Sequence, residues 1–282
     1  MGCLNTWRTV IELMTASGGA NREISAAKIT GYNTQSEQVS LVLIHGVYHG
    51  AWSFQHMVPQ LTALGYPVYT VDLRGHTGVD RIKPSDTIGY ADYLEDVTRL
   101  LKEIPGDKCV IGHSLGGLLA LSCAHLNEVK QLVLLATPLP EVLKKKRWSL
   151  LFKYPFRSLQ MIFHRDAAYF YHDAMFAKHF FFTDTTPETL FGQCLQEIRR
   201  QNEPFRLFED LNVLSFRDLN VTLPTLIIYG ELDPIVDEFA ASKICQIMPG
   251  ELHCIQGAGH DFMVEPNYAT AVAERIHCHL CA

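Results

Sequence analysis

The sequence predicts an α/β fold, a doubly wound and mostly parallel sheet with helices on both faces and a helical insertion above it. Three observations predict it. Short apolar runs rich in β-branched residues alternate with helical stretches, as βαβ units do. The runs are apolar almost throughout rather than at every second residue, as strands covered on both faces require. The alternation breaks once, for roughly 85 residues, which is too long for a bare loop in a compact domain.

Taken in order, residues 1–32 suggest a helix around Trp7–Met14, then Gly18-Gly19, then a strand near Ile24–Thr30. Five runs follow as strands: Val39–Ile44, Pro67–Asp72, Lys108–Ile111, Gln131–Thr137 and Pro224–Tyr229, with a sixth at Glu251–Gln256. Between them, Thr87–Ile104 spaces Tyr90, Leu94, Val97, Leu101 and Ile104 three or four apart, a one-faced helix closed by Pro105-Gly106. A second helix occupies Leu118–Leu126, and a third, Pro266–Leu280, opens on proline. The break at 139–222 divides the chain into a core of 1–138 and 223–282 and a cap, or lid, of 139–222 with its own helices.

Composition narrows the function. A chain of 282 residues with 48% hydrophobic content can bury a large single core. Its net charge of -6 offers no general attraction for polyphosphates, so nucleic acid is not an expected partner. The eight cysteines are scattered without the spacing of a disulfide framework, which fits a reducing compartment. The tail His277-Cys278-His279-Leu280-Cys281 holds one CxxC but lacks the second half of a zinc site, so no metal is expected there. No apolar run reaches the roughly 18 residues of a membrane span, and no leader resembles a signal peptide. The start, Met1-Gly2-Cys3-Leu4-Asn5-Thr6, fits a myristoylation pattern with Cys3 open to palmitoylation. The expected location is the cytoplasm, at a membrane if Gly2 or Cys3 is lipidated.

The sharpest local signal is Lys108-Cys-Val-Ile-Gly112-His113-Ser114-Leu115-Gly116-Gly117, a strand running into G-x-S-x-G and then an apolar helix. A serine displayed on a tight strand-to-helix turn needs small neighbours so that strand and helix can approach. The motif sits in that context.

From here the chain resembles the α/β-hydrolase superfamily, from about Val39 to the C-terminus except for the lid. Leu41-Val-Leu-Ile-His45-Gly46-Val47 is similar to its strand and oxyanion-loop segment, and Val71-Asp-Leu-Arg-Gly-His76 to its next strand and turn. Leu223-Pro-Thr-Leu-Ile-Ile-Tyr-Gly230-Glu-Leu-Asp233 is similar to the acid-bearing strand end, and Gly257-Ala-Gly-His260 to the histidine loop. The segment His45–Trp52 also looks like small-molecule esterases and hydroxynitrile lyases of the superfamily, while the whole layout resembles lysophospholipase and monoacylglycerol lipase relatives.

The resemblance implies an α/β-hydrolase fold with Ser114 as nucleophile, His260 as general base and Asp233 as the acid that orients it, in the chain order this fold uses. Glu231 and Asp237 compete with Asp233 for that role. The same resemblance implies an oxyanion hole formed by the backbone N–H groups of Val47 and Leu115. His45 reads as a residue that shapes its loop. No cofactor is required, and a serine at 114 disfavours the dehalogenase and epoxide-hydrolase chemistries that place aspartate there.

The insertion joins a basic cluster, Lys144-Lys-Lys-Arg147, to many large apolar residues. It reads either as a packed cap helix with a solvated end or as an amphipathic lid that meets a membrane surface or an acidic acyl carrier. Tyr48, His113, Trp148 and Phe163 are candidates for the pocket wall. An aromatic, apolar pocket favours a small hydrophobic ester, acyl or aromatic, cleaved through an acyl-enzyme. A thioesterase or acyltransferase working on carrier or coenzyme A thioesters uses the same triad, and a small-molecule receptor of this fold keeps it too. Nothing in the sequence sets the oligomeric state.

Overall fold

The protein is described from a computed structural model covering residues 27–76, 81–217, 219 and 221–282, without the side chains of 145–151. The helix expected at Trp7–Met14, the Gly2/Cys3 site and the Trp148 side chain lie outside what is described.

Among the described residues seven strands form one sheet: β1 (Lys28–Tyr32), β2 (Ser40–Ile44), β3 (Val68–Asp72), β4 (Lys108–His113), β5 (Val129–Leu135), β6 (Thr225–Gly230) and β7 (Glu251–Ile255). Their order is β1-β3-β2-β4-β5-β6-β7, and only β1, paired to β3, runs antiparallel. The chain leaves β2 towards β3 on one side and returns to β4 on the other. The carboxyl ends of β2 and β4 therefore flank a crevice where connections diverge, the usual ligand site of open α/β sheets.

The apolar runs are explained by burial on both faces. Val42 and Ile44 of β2, Val110 of β4, and Leu132 and Leu134 of β5 join one core cluster, while Leu41, Leu43, Cys109, Ile111, Val133 and Leu135 join a second on the opposite face. The first cluster is closed by α2 (Tyr90–Glu103), α3 (Leu115–Cys123) and α10 (Glu238–Ile244), and the second by α1 (Met57–Ala63) and α11 (Pro266–Leu280). Helix α3 is buried along all nine residues, which matches its uniformly apolar sequence.

Between β5 and β6 the described residues form six helices and no strand: α4 (Pro140–Lys153), α5 (Pro155–His164), α6 (Ala168–Tyr171), α7 (Ala174–Phe181), α8 (Glu188–Arg200) and α9 (Phe205–Val213). Proline marks several boundaries. Pro155 opens α5 and Pro187 and Pro204 cap α8 and α9, positions where a missing N–H costs nothing. No helix among the described residues is long and apolar enough to cross a membrane.

Candidate active site

Strand β4 delivers Ser114 to the crevice. Its backbone is left-handed at φ 50 and ψ −113, a conformation that L-residues avoid unless the surroundings hold them. The Ser114 N–H is tied to the Leu135 carbonyl at the end of β5 (2.9 Å). Gly112 and Gly116 permit the turn: a Cβ on Gly112 would strike the Gly116 backbone, and one on Gly116 would strike the Ile44 carbonyl at the end of β2. Ser114 remains 9% exposed, in a neighbourhood where its companions are fully enclosed.

Three acids leave β6 and each has a separate task. Asp233 accepts the Ile235 and Val236 N–H groups through Oδ1 (2.7 and 2.9 Å) and receives a hydrogen bond from His260 Nδ1 through Oδ2 (2.7 Å). Glu231 accepts the Gly257 N–H (2.8 Å), pinning the histidine loop, and Asp237 caps α10 through the Ala240 N–H (2.8 Å). Asp233 alone of the three is bonded to His260. With Nδ1 committed to Asp233, Nε2 is the His260 nitrogen left for another partner.

The loop after β2 is gripped from several directions. His45 bridges two loops, Nδ1 donating to the Gly46 carbonyl (2.8 Å) and Nε2 accepting the Leu73 N–H (3.1 Å); burial holds its pKa down to about 4, so it stays neutral. Tyr48 is left-handed at φ 58. The peptide between Val47 and Tyr48 is held on both sides: its carbonyl accepts from His49 Nδ1 (2.6 Å), and its N–H donates to Glu203 Oε1 (2.9 Å). His49 Nε2 meets Asp261 Oδ2 at 2.8 Å. Because both His49 nitrogens face oxygen acceptors, the ring is best satisfied as imidazolium. Burial opposes that charge, but Asp261 and the Val47 carbonyl outweigh it, and the net shift is upward. Among the described residues, neither the Val47 nor the Leu115 N–H donates to another protein group, and both belong to the turns that border Ser114.

His113, the residue before Ser114, is fully buried and kept neutral by burial, with Nε2 3.3 Å from the His260 carbonyl. Tyr48 is also fully buried and stacks on Tyr171 (4.5 Å), which stacks on Phe181 (5.7 Å), which in turn lies 6.0 Å from the His260 ring. An aromatic layer from α6 and α7 thus roofs the site. Phe163 departs from expectation. It is 84% exposed on the outer side of α5, because Ser158 and Met161 occupy that helix's inner side, and so it lines no pocket wall. An open cavity of about 530 Å³ lies beside the site, between α7, α8 and Leu232 and Pro234, with Lys178, His179 and Asp184 among its lining. It flanks the Asp233 turn without including Ser114.

His113, His260 and Asp261 offer one ligand atom each within 4.8 Å of one another, a group that could hold a metal ion. Two of them are otherwise engaged, His260 with Asp233 and Asp261 with His49. Neither Asp261 nor Glu203 is singled out by sequence reasoning. Asp261 directly follows His260, but Glu203 sits in Gln-Asn-Glu-Pro, a turn with no motif.

A family model described as "Alpha/beta hydrolase family" matches residues 41–275. Methylesterase 3 of Arabidopsis thaliana is 41% identical over 81 residues, 28% of this chain and 30% of that protein. The pimeloyl-[acyl-carrier protein] methyl ester esterase of Aliivibrio salmonicida (strain LFI1238) is 34% identical over 119 residues, 42% of each chain. The chain thus matches less than half the length of these curated relatives. Among solved structures, a thermophilic esterase from Thermogutta terrifontis superposes with a TM-score of 0.71 at 17% identity, covering 94% of this chain and 97% of that one.

Proposed function

The chain belongs to the alpha/beta hydrolase family, and from that premise we propose that it is a serine carboxylic ester hydrolase acting on a small hydrophobic ester through an acyl-enzyme. The observation that carries this reading is the His260 Nδ1–Asp233 Oδ2 bond of 2.7 Å, with the His260 ring 4.9 Å from that of His113, the residue that precedes a serine held at φ 50. A serine hydroxyl becomes a useful nucleophile when an oriented imidazole takes its proton.

In this reading Ser114 Oγ attacks the ester carbonyl as its proton passes to His260 Nε2. The resulting oxyanion is met by the Val47 and Leu115 N–H groups, which lack other acceptors among the described residues. His260 then protonates the departing alkoxide, and an alcohol leaves. Water, deprotonated by the same ring, cleaves the acyl-enzyme and restores Ser114. The helices between β5 and β6 act as a cap whose aromatic layer keeps the intermediate from bulk water. Similarity to two methyl ester esterases, over less than half the chain, supports a methyl ester with an apolar acid portion.

A fluorophosphonate probe should label Ser114, and Ser114→Ala should abolish labelling and lower kcat on methyl and p-nitrophenyl esters by about 10⁴-fold or more. Labelling of the folded protein at another residue would overturn the assignment.

A further inference from the structure

We propose that the outer face of α5, with the end of α4, docks the protein on an anionic lipid surface. Phe156 and Phe163 on α5 are 83% and 84% exposed and Leu159 is 64% exposed; Phe152, one turn earlier at the end of α4, is 83% exposed. Residues 156, 159 and 163 fall within about 60° of arc on an α-helix, so they form one stripe. Ile162 and, from the start of α7, Met175 are exposed as well. Scattered exposed apolar residues need no explanation, but three phenylalanines and a leucine exposed within the twelve residues 152–163 are a concentration of the kind that marks an interaction surface.

Charge selects the occupant. Residues 142–165 contain seven Lys or Arg and no Asp or Glu, in a chain whose net charge is -6. Two of the seven are neutralised by acids outside the stretch, Arg157 by Asp173 (2.6 Å) and Arg165 by Glu209 (2.9 Å). Lys153, beside Phe152, is exposed and Lys144 half-buried, and the sequence adds Lys145, Lys146 and Arg147 to the same stretch. An aromatic stripe flanked by Lys and Arg is the composition of helices that lie in a membrane interface, where rings enter the acyl boundary and cations meet anionic headgroups. A second copy of this chain would bring two cationic segments together, and an acidic carrier protein would satisfy the charges while leaving four large apolar side chains in water. The patch lies on α5, which packs against α6, one of the two helices that roof the active site, so a docked molecule would bring this insertion to the lipid.

The test is sedimentation of the full-length, unacylated chain with vesicles, a readout without a catalytic step that stands or falls apart from the esterase reading. The chain should pellet with vesicles containing about one third phosphatidylglycerol at roughly 0.05 M salt, with at least about 10-fold weaker partition on pure phosphatidylcholine or at about 0.5 M salt. Phe156→Glu/Phe163→Glu should lose the anionic-vesicle binding while keeping the wild-type Tm, since both side chains already lie in solvent. Equal partition of wild type and variant, or no partition of either, would overturn the proposal. So would a wild-type dimer in analytical ultracentrifugation that the double variant abolishes, or retention on an acidic acyl carrier with vesicles left unbound.

Discussion

Glu203 reaches the loop after β2 from the turn before α9, 155 positions further along the chain, and grips a left-handed residue there. Its Oε1 accepts the Tyr48 N–H and its Oε2 the Tyr93 hydroxyl (2.8 Å), with His76 Nε2 3.4 Å away. Burial pushes its carboxyl up to about 7, against which the Tyr48 and Tyr93 hydrogen bonds pull only partly. A folded-state pKa raised above the ordinary value of 4.5 means that the folded protein holds this proton more tightly than the unfolded chain. The associated stability is fully present below about pH 4.5 and is lost as pH rises through about 7. Glu203→Gln keeps an acceptor for Tyr48 but cannot ionise, so urea denaturation should show a flatter stability profile between pH 5 and 7 than wild type. Glu203→Ala leaves a buried N–H unpaired, costing about 1–3 kcal/mol. Because that N–H belongs to the peptide following Val47, the alanine variant should also lower kcat by about 10- to 100-fold, with the glutamine variant near wild type at pH 6. A kcat drop in both variants alike would detach Glu203 from loop positioning.

At the scale of elements, the exit of β6 separates orientation from architecture. Asp233→Asn should lower kcat by about 10⁴-fold with little change in urea midpoint, since the amide misorients His260 without emptying space. Asp237→Ala should cost about 1 kcal/mol through the lost α10 cap and leave kcat intact. The inner parallel strands, β2 to β6, and the residues they display are legible from sequence because both sheet faces are largely buried there, which writes them as mostly apolar runs, whereas the edge strand β7 is only partly buried. β1 pairs on one side only and is largely exposed, so its signal is weak; of the expected Ile24–Thr30, residues 24–26 lie outside those described, and the described strand is Lys28–Tyr32. Helix α3 begins at Leu115 rather than Leu118 because Ser114 itself stands at its N-cap, and Gly116-Gly117, poor helix formers, hide its first turn. The candidate residues Ser114, Asp233 and His260 each stand in a short segment of their own, and the structure bonds the last two to each other. Glu203 and the His49–Asp261 pair have no such segment, since a buried contact between distant positions leaves no local pattern. Phe163 shows the opposite failure: an aromatic residue in a helical insertion suits either face, and only the packing of Met161 and Ser158 decides between them.

At the scale of the whole molecule, the helices between β5 and β6 are built into both cores. Phe181, Phe191, Leu195 and Ile198 pack in the cluster that contains Leu41 and Ile228, while Leu207, Leu214 and Phe216 join the one that contains Val42 and Leu134. An insertion attached in this way has no apolar core of its own to retain when the sheet opens, and the sheet loses part of its cover when the insertion leaves. Unfolding should therefore be a single transition, with far-UV circular dichroism and tryptophan fluorescence giving coincident midpoints. Ile198→Ala and Leu207→Ala, each fully buried and in different clusters, should each lower that one midpoint by about 2–5 kcal/mol equivalents. Sharing no cluster, the two should add within about 0.5 kcal/mol. If the insertion instead melted as a separate unit, Ile198→Ala would split the fluorescence and dichroism curves while leaving the main midpoint in place. Coincident curves in both variants would mean that the helices between β5 and β6 and the sheet unfold only together, as their shared core clusters require.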